Sequence, residues 1–246
     1  MQSASFEIRI AHLYPDLLNA NGDFGNILTF QNRCQWRDIG VKLTEIKQGD
    51  KINADDFDFF FASSAQGLQL ELASIEFQKN ACELKRAAKI GKPMLVIFGS
   101  YQLFGNYYKI SDSKKLDGIS IFDTFTIASP SRYTGNVTAV CDFLNPRTIV
   151  GFENHCDLTY LNENALPFLR VQTGNGNNGG DKTEGARFNN AFGTYLCGPI
   201  LPKNPHFCDL LIKLALKSRY GCDIPLLPLN DEIEYFAHQS RIKAKY

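Results

Sequence analysis

The chain has 246 residues, 44% of them apolar and 21% charged, enough to bury a full core in one large or two small units. Its 26 basic and 26 acidic residues cancel, which excludes the strongly charged surface expected of a partner for nucleic acid or an anionic membrane. There is no 18-residue apolar run, and Met1–Glu7 lacks a basic stretch leading into an apolar one. The expectation is therefore a soluble cytoplasmic protein without membrane insertion.

In chain order, Phe6–His12 reads as a strand. Gly25–Ile39 reads as a helix with Ile27, Phe30 and Cys34 on one face, closed by Gly40. Val41–Ile46 and Phe57–Phe61 are apolar strands. Leu68, Leu72, Ile75 and Cys82 mark one stripe of a long helix that ends before Gly91-Lys92-Pro93, and Met94–Phe98 is the next strand. Helices alternating with buried strands predict an α/β fold, with a mostly parallel sheet flanked by helices.

The second half changes character. Tyr133–Cys141, Thr148–Phe152, Leu169–Val171, Ala186–Phe188 and Phe192–Leu196 are short strands without long helices between them, which predicts antiparallel ribbons added to the sheet or packed beside it. Thr173–Asp181 is a loop rich in Gly and Asn. It does not follow a strand and open a helix, so it is not read as a phosphate loop. Asn204-Pro205 supplies an N-cap and first-turn proline for a helix with Phe207, Leu210, Leu211 and Leu214 on its core face. A polar helix over about 231–243 closes a single domain spanning 1–246.

The seven cysteines are scattered and include no C-x-x-C pair, which fits free thiols in a reducing compartment and argues against structural zinc. His12 and His206 have no partner at ligand spacing, and no metal or cofactor is expected. Asn136-Val137-Thr138 matches a glycosylation sequon, which has no meaning in an unexported protein.

The most informative stretch is Met94–Gly105. An apolar strand runs into Phe98-Gly99-Ser100 and then a helix start, the shape of an elbow that lifts one side chain into a cleft beside helix N–H groups. A nucleophile there would be Cys or Ser, but the apex residue is Phe98.

At this point the chain resembles the GatD-type glutamine amidotransferase subunits of the CobB/CobQ class. The resemblance is carried by Ile10–Tyr14, Gly22–Ile27, Asp58–Phe61, the elbow through Leu103, Gly151–His155, Gly174–Asn178, Phe192–Leu196 and Gly198–Pro205. It implies a flavodoxin-like amidotransferase fold and a Mur-ligase-like partner, MurT, with which such subunits amidate the D-glutamate of lipid II. The implied chemistry is hydrolysis of glutamine by a Cys thiolate, with a His as base and backbone N–H groups for the oxyanion. Here Phe98 stands at the nucleophile position, Cys197 at the catalytic His position, and Ala62-Ser63-Ser64 where the family has three glycines. The resemblance further implies that Arg132, Gln102 and Ser64 lie near substrate.

Loss of nucleophile and base together predicts a pseudoenzyme. The elbow is expected either to relax, since a positive φ is costly for a bulky residue, or to place the Phe98 ring in the former glutamine pocket. Two alternatives stay open. One is an active glutaminase with a relocated nucleophile, Cys197 or Cys156 with His155 as base; the other is a non-catalytic module binding some other small molecule.

Overall fold

A computed structural model describes residues 6–20 and 22–243. Met1–Ser5, part of the segment read for an export signal, lie outside the described residues. The first half runs β1 (Phe6–Leu13), α1 (Phe24–Gln35), β2 (Ile39–Ile46), β3 (Phe59–Ala62), α2 (Leu68–Lys79), α3 (Ala81–Lys89), β4 (Met94–Ile97) and α4 (Gly99–Phe104). Strands then dominate: β5 (Tyr107–Lys109), β6 (Lys115–Asp117), β7 (Thr124–Ile127), β8 (Tyr133–Val140), β9 (Thr148–His155), β10 (Leu158–Leu161), β11 (Leu169–Thr173), β12 (Thr183–Glu184), β13 (Ala186–Phe188) and β14 (Ala191–Thr194). The helices α5 (Pro205–Tyr220) and α6 (Glu232–Lys243) follow.

The main sheet has the order β13-β14-β4-β3-β1-β2 and is parallel except for the β13–β14 hairpin. Its central strands β3, β4 and β14 are buried along their whole length, which explains why they read as continuous apolar runs rather than alternating ones. The register sets Ala62 beside Val96 and Ile97 beside Thr194. The ends of three strands thus converge on Phe98, in the crevice where open α/β sheets place their sites.

Two four-stranded sheets, β10-β7-β5-β6 and β12-β11-β8-β9, hold the ribbons expected in the second half. A bridge between Phe152 and Cys197 ties the second of them to the end of β14.

Several local expectations are corrected. The first helix stops at Gln35, and Gly40 lies inside β2; the reversal is made by Asp38, at φ 55°. The long helix is two, α2 and α3, broken at Asn80. The Asn80 side chain accepts from Ile52 N and donates to Tyr14 Oη and Asp50 O. Within α2 the buried face is a different one from that expected: Leu68 and Ile75 are 66% and 54% exposed, while Leu70, Ala73 and Phe77 face the core, as do Leu84 and Ala88 of α3. Asn204 precedes α5 but does not cap it through its side chain, which spans Val150 N, Val150 O and Ile200 O instead. The last helix is not polar all round, since Ile233 and Phe236 are 81% and 75% exposed. The strands β5, β6, β7, β10 and β12 had no counterpart in the sequence reading.

Candidate functional site at the strand-to-helix elbow

β4 continues its ladder one residue past its end, Phe98 N donating to Thr194 O at 2.8 Å, while Gln102 N donates back to Phe98 O at 3.0 Å. Sheet and helix thus fix both sides of the apex, and Phe98 sits at φ 56°, ψ −113°. The corner has not relaxed. A non-glycine residue there costs on the order of 1–3 kcal/mol, which the surrounding hydrogen bonds over-determine. The ring lies edge-on to Tyr195 and His155, with centroids at 5.6 and 6.3 Å. It forms one wall of a cleft of about 400 Å3 and does not fill it. Both halves of the expectation for Phe98 are therefore revised: strain is kept, and so is the cleft.

The groups around the apex are engaged with one another. Gly99 N, the amide that follows the apex, donates to Ser64 Oγ at 3.5 Å. A Cβ placed on Gly99 would lie 2.7 Å from Leu70 Cδ1 and 2.9 Å from Ala65 O, so that side of the elbow is covered as well as capped. Ser100 Oγ donates to Ser63 O, and Ser63 Oγ donates to Asp23 Oδ2 at 3.1 Å. Ser64, expected near substrate, does not line the cleft; it sits behind the elbow with its hydroxyl on the Gly99 amide.

Cys197 is buried, and its Sγ donates to Phe152 O at 3.5 Å. Burial, reinforced by the Asp23 carboxylate, pushes its thiol up to about 11, so it is not a thiolate at neutral pH. Asp23 is a site residue that the sequence reading missed. It is fully buried beside Cys197, its Oδ1 has no hydrogen-bond partner among the described residues, and burial lifts its carboxyl to about 6. Its presence in Gly22-Asp23-Phe24-Gly25-Asn26 was the available signal, because a carboxylate inside an otherwise small and apolar motif needs a purpose. Lys203, half-buried nearby, donates to Gly198 O at 2.6 Å.

The remaining candidates do meet in the cleft. Gln102, Arg132, His155 and Cys156 all line it, with Tyr108, Asn154 and Asp157 between them. Gln102 Nε2 donates to Asp157 Oδ2 at 2.7 Å and to Tyr195 Oη at 3.1 Å. Arg132 donates from Nε and Nη2 to Asn154 Oδ1 at 2.9 and 2.7 Å. His155 stacks on Tyr195 with centroids 4.0 Å apart, and its Nδ1 donates to Asp157 O at 2.8 Å. Burial holds its imidazole below the usual histidine range. The hydrogen bonds described for His155 and Cys197 lead to backbone carbonyls, not to each other.

The Gly-rich loop that was not read as a phosphate site does bind an anion, one belonging to the protein. Asn175 N and Gly176 N donate to the Glu153 carboxylate, Gly176 at φ 66° permitting the approach. Among the described residues no cluster of His, Cys, Asp and Glu is placed to hold a metal ion, and no helix is long and apolar enough to cross a membrane.

Comparison with known proteins agrees with this geometry. Residues 9–205 match the CobB/CobQ-like glutamine amidotransferase domain. The chain is 38% identical over 235 residues to the lipid II isoglutaminyl synthase (glutamine-hydrolyzing) subunit GatD of Staphylococcus aureus, covering 95% of this chain and 94% of that one. It is 29% identical to the Streptococcus pneumoniae subunit of the same name, covering 98% and 93%. Among solved structures, a glutamine amidotransferase superposes with a TM-score of 0.57 at 10% identity, covering 83% of this chain and 98% of that one, which supports the fold. A parallel sheet with the elbow at its crevice, a matching domain and near full-length relatives together place this chain in the CobB/CobQ-like glutamine amidotransferase family, as a GatD-like class I member.

Proposed function

We propose that this chain is the GatD-like subunit of a lipid II isoglutaminyl synthase-type complex in peptidoglycan synthesis, and that it has lost glutaminase activity. The observation that carries the second part is the elbow itself, where a benzyl group occupies the apex at φ 56° and a buried thiol stands at the position of the base. An acyl-enzyme needs a nucleophile within hydrogen-bond reach of a base and a donor for the oxyanion. Phe98 supplies no attacking atom, Cys197 no imidazole, and the Gly99 amide is already engaged by Ser64. The near full-length match to GatD subunits favours a cytoplasmic single domain that pairs with a MurT-like Mur ligase subunit as a heterodimer, stabilising it or leaving it to use free ammonia.

The test is ammonia release from L-glutamine by the chain co-expressed with its Mur-ligase-like partner. No turnover above the uncatalysed background is expected, while added ammonium salt supports amidation by the complex. Glutamine-dependent turnover equal to that of an intact relative overturns the loss of activity. Failure of the two chains to co-purify overturns the complex.

A further inference from the structure

The cleft in front of Phe98 remains open, and its charges are arranged unusually. Arg132 gives two donors to the neutral Asn154 Oδ1 and has no carboxylate partner among the described residues. Asp157 accepts from two neutral donors, Gln102 Nε2 at 2.7 Å and Tyr108 Oη at 2.9 Å, and has no cationic partner among them. The other charges on the wall, Lys114 and Glu71, neutralise each other at 2.5 Å. The cleft therefore offers one uncompensated cation and one uncompensated anion. A simple anion or cation would leave one of them facing nothing, whereas a zwitterion answers both.

The cleft also has apolar lining. Phe98, Leu70, Ala65 and Ile110 line it. A carboxamide carried there needs a donor for its oxygen, but the Gly99 amide at the elbow is directed at Ser64 Oγ, 3.5 Å away. An amide group would give up water without replacement, whereas an aliphatic side chain loses nothing and gains contact with the ring.

From this we propose that the cleft binds a free α-amino acid with an apolar side chain in preference to glutamine. The ligand's carboxylate lies on Arg132, its ammonium group on Asp157, and its side chain against Phe98. The inference rests on the reading of the chain as an amidotransferase without glutaminase activity, and names what the emptied site now recognises.

Isothermal titration of the full chain with L-leucine and L-glutamine tests it, alongside L-leucinamide, which lacks the carboxylate, and 4-methylpentanoate, which lacks the ammonium group. L-Leucine should bind about tenfold or more tightly than L-glutamine, the size of discrimination expected when a polar group is left unpaired. Both truncated analogues should lose about tenfold or more. Arg132→Gln and Asp157→Asn should each weaken L-leucine to a similar degree with the melting temperature unchanged, and the analogues report on the same contacts should either variant fail to fold. Glutamine binding as tightly as leucine, analogues binding as well as the parent amino acid, or no heat with leucine at millimolar concentration overturns the proposal. Ammonia release from glutamine, assayed on the same preparation, separates the outcomes: release refutes the loss of glutaminase activity, whereas no release and no leucine binding refutes only the ligand.

Discussion

Phe98, Cys197 and Ser64 form a set whose parts explain one another. On the proposed loss of glutaminase activity, an imidazole at position 197 would have no task, and the thiol there fits the buried space beside Asp23 while leaving Asp23 Oδ1 unpartnered among the described residues. On the same proposal no tetrahedral intermediate needs the Gly99 amide, which leaves it to Ser64 Oγ, 3.5 Å away. The strained apex persists because sheet and helix impose it, whatever side chain stands there. Rebuilding should follow the same order. Phe98→Cys alone should release no ammonia from glutamine, because the thiol has no base. Adding Cys197→His, whose imidazole meets the free Asp23 oxygen, should give detectable turnover. Adding Ser64→Gly to these should raise it by about 10²-fold, the worth of one oxyanion donor. Steady-state ammonia assays on the three variants check the series, and turnover from Phe98→Cys alone would contradict it.

Ionic contacts join helices whose apolar faces also pack into the core. Arg33 on α1 is 2% exposed, yet it donates to Asp209 on α5 at 2.8 and 2.9 Å and to Asp231, which precedes α6, at 2.6 and 2.8 Å. Arg37 adds two further donors to Asp209. This knot joins three segments distant in the chain and makes α1 more than an amphipathic helix. Arg33→Met keeps the bulk but leaves the part-buried Asp231 without its partner, and the loss of stability should be about 1–3 kcal/mol. Urea unfolding reads this as a lower midpoint at unchanged slope. The Gly25–Ile39 pattern gave Ile27, Phe30 and Cys34 as the inward face, and all three are buried, but a fully buried arginine at position 33 is invisible to hydrophobic periodicity. The single long helix is divided for a related reason. Its break at Asn80 is fixed by Ile52, Tyr14 and Asp50, three contacts that lie 28 to 66 residues away.

At the scale of the whole molecule, the ribbons enclose buried acids and imidazoles that couple stability to pH. Glu184, on β12, is fully buried between sheet and ribbon. It accepts from Thr194 Oγ1 and Tyr195 N, and burial lifts its carboxyl to about 7. The folded chain thus holds a proton there that the unfolded chain releases near 4.5, so this group's contribution falls as pH rises through the window from 4.5 to 7. His12 and His206, held down to about 4 by burial, work the opposite way, and their contribution is lost as pH falls from 6.5 toward 4. Stability should therefore peak at mildly acidic pH. Glu184→Gln should remove the alkaline-side decline, stabilising the chain at pH 8 relative to pH 5 by as much as about 3 kcal/mol compared with the parent. Thermal unfolding across that range measures it, and parallel profiles for parent and variant would contradict it.

The alternation of strands and helices in the first half and the strand-to-helix elbow with Phe98 at its apex were legible in local patterning, since each depends on residue types adjacent in the chain. Tertiary structure alone decided the rest. It brought Asp23 beside Cys197, set Ser64 on the Gly99 amide, gathered Arg132 and Asp157 into one cleft that Phe98 does not fill, and cut the long helix at Asn80. These are relations between side chains separated by tens to hundreds of residues. Burial and hydrogen-bond satisfaction select them, and neither leaves a periodic trace in the sequence.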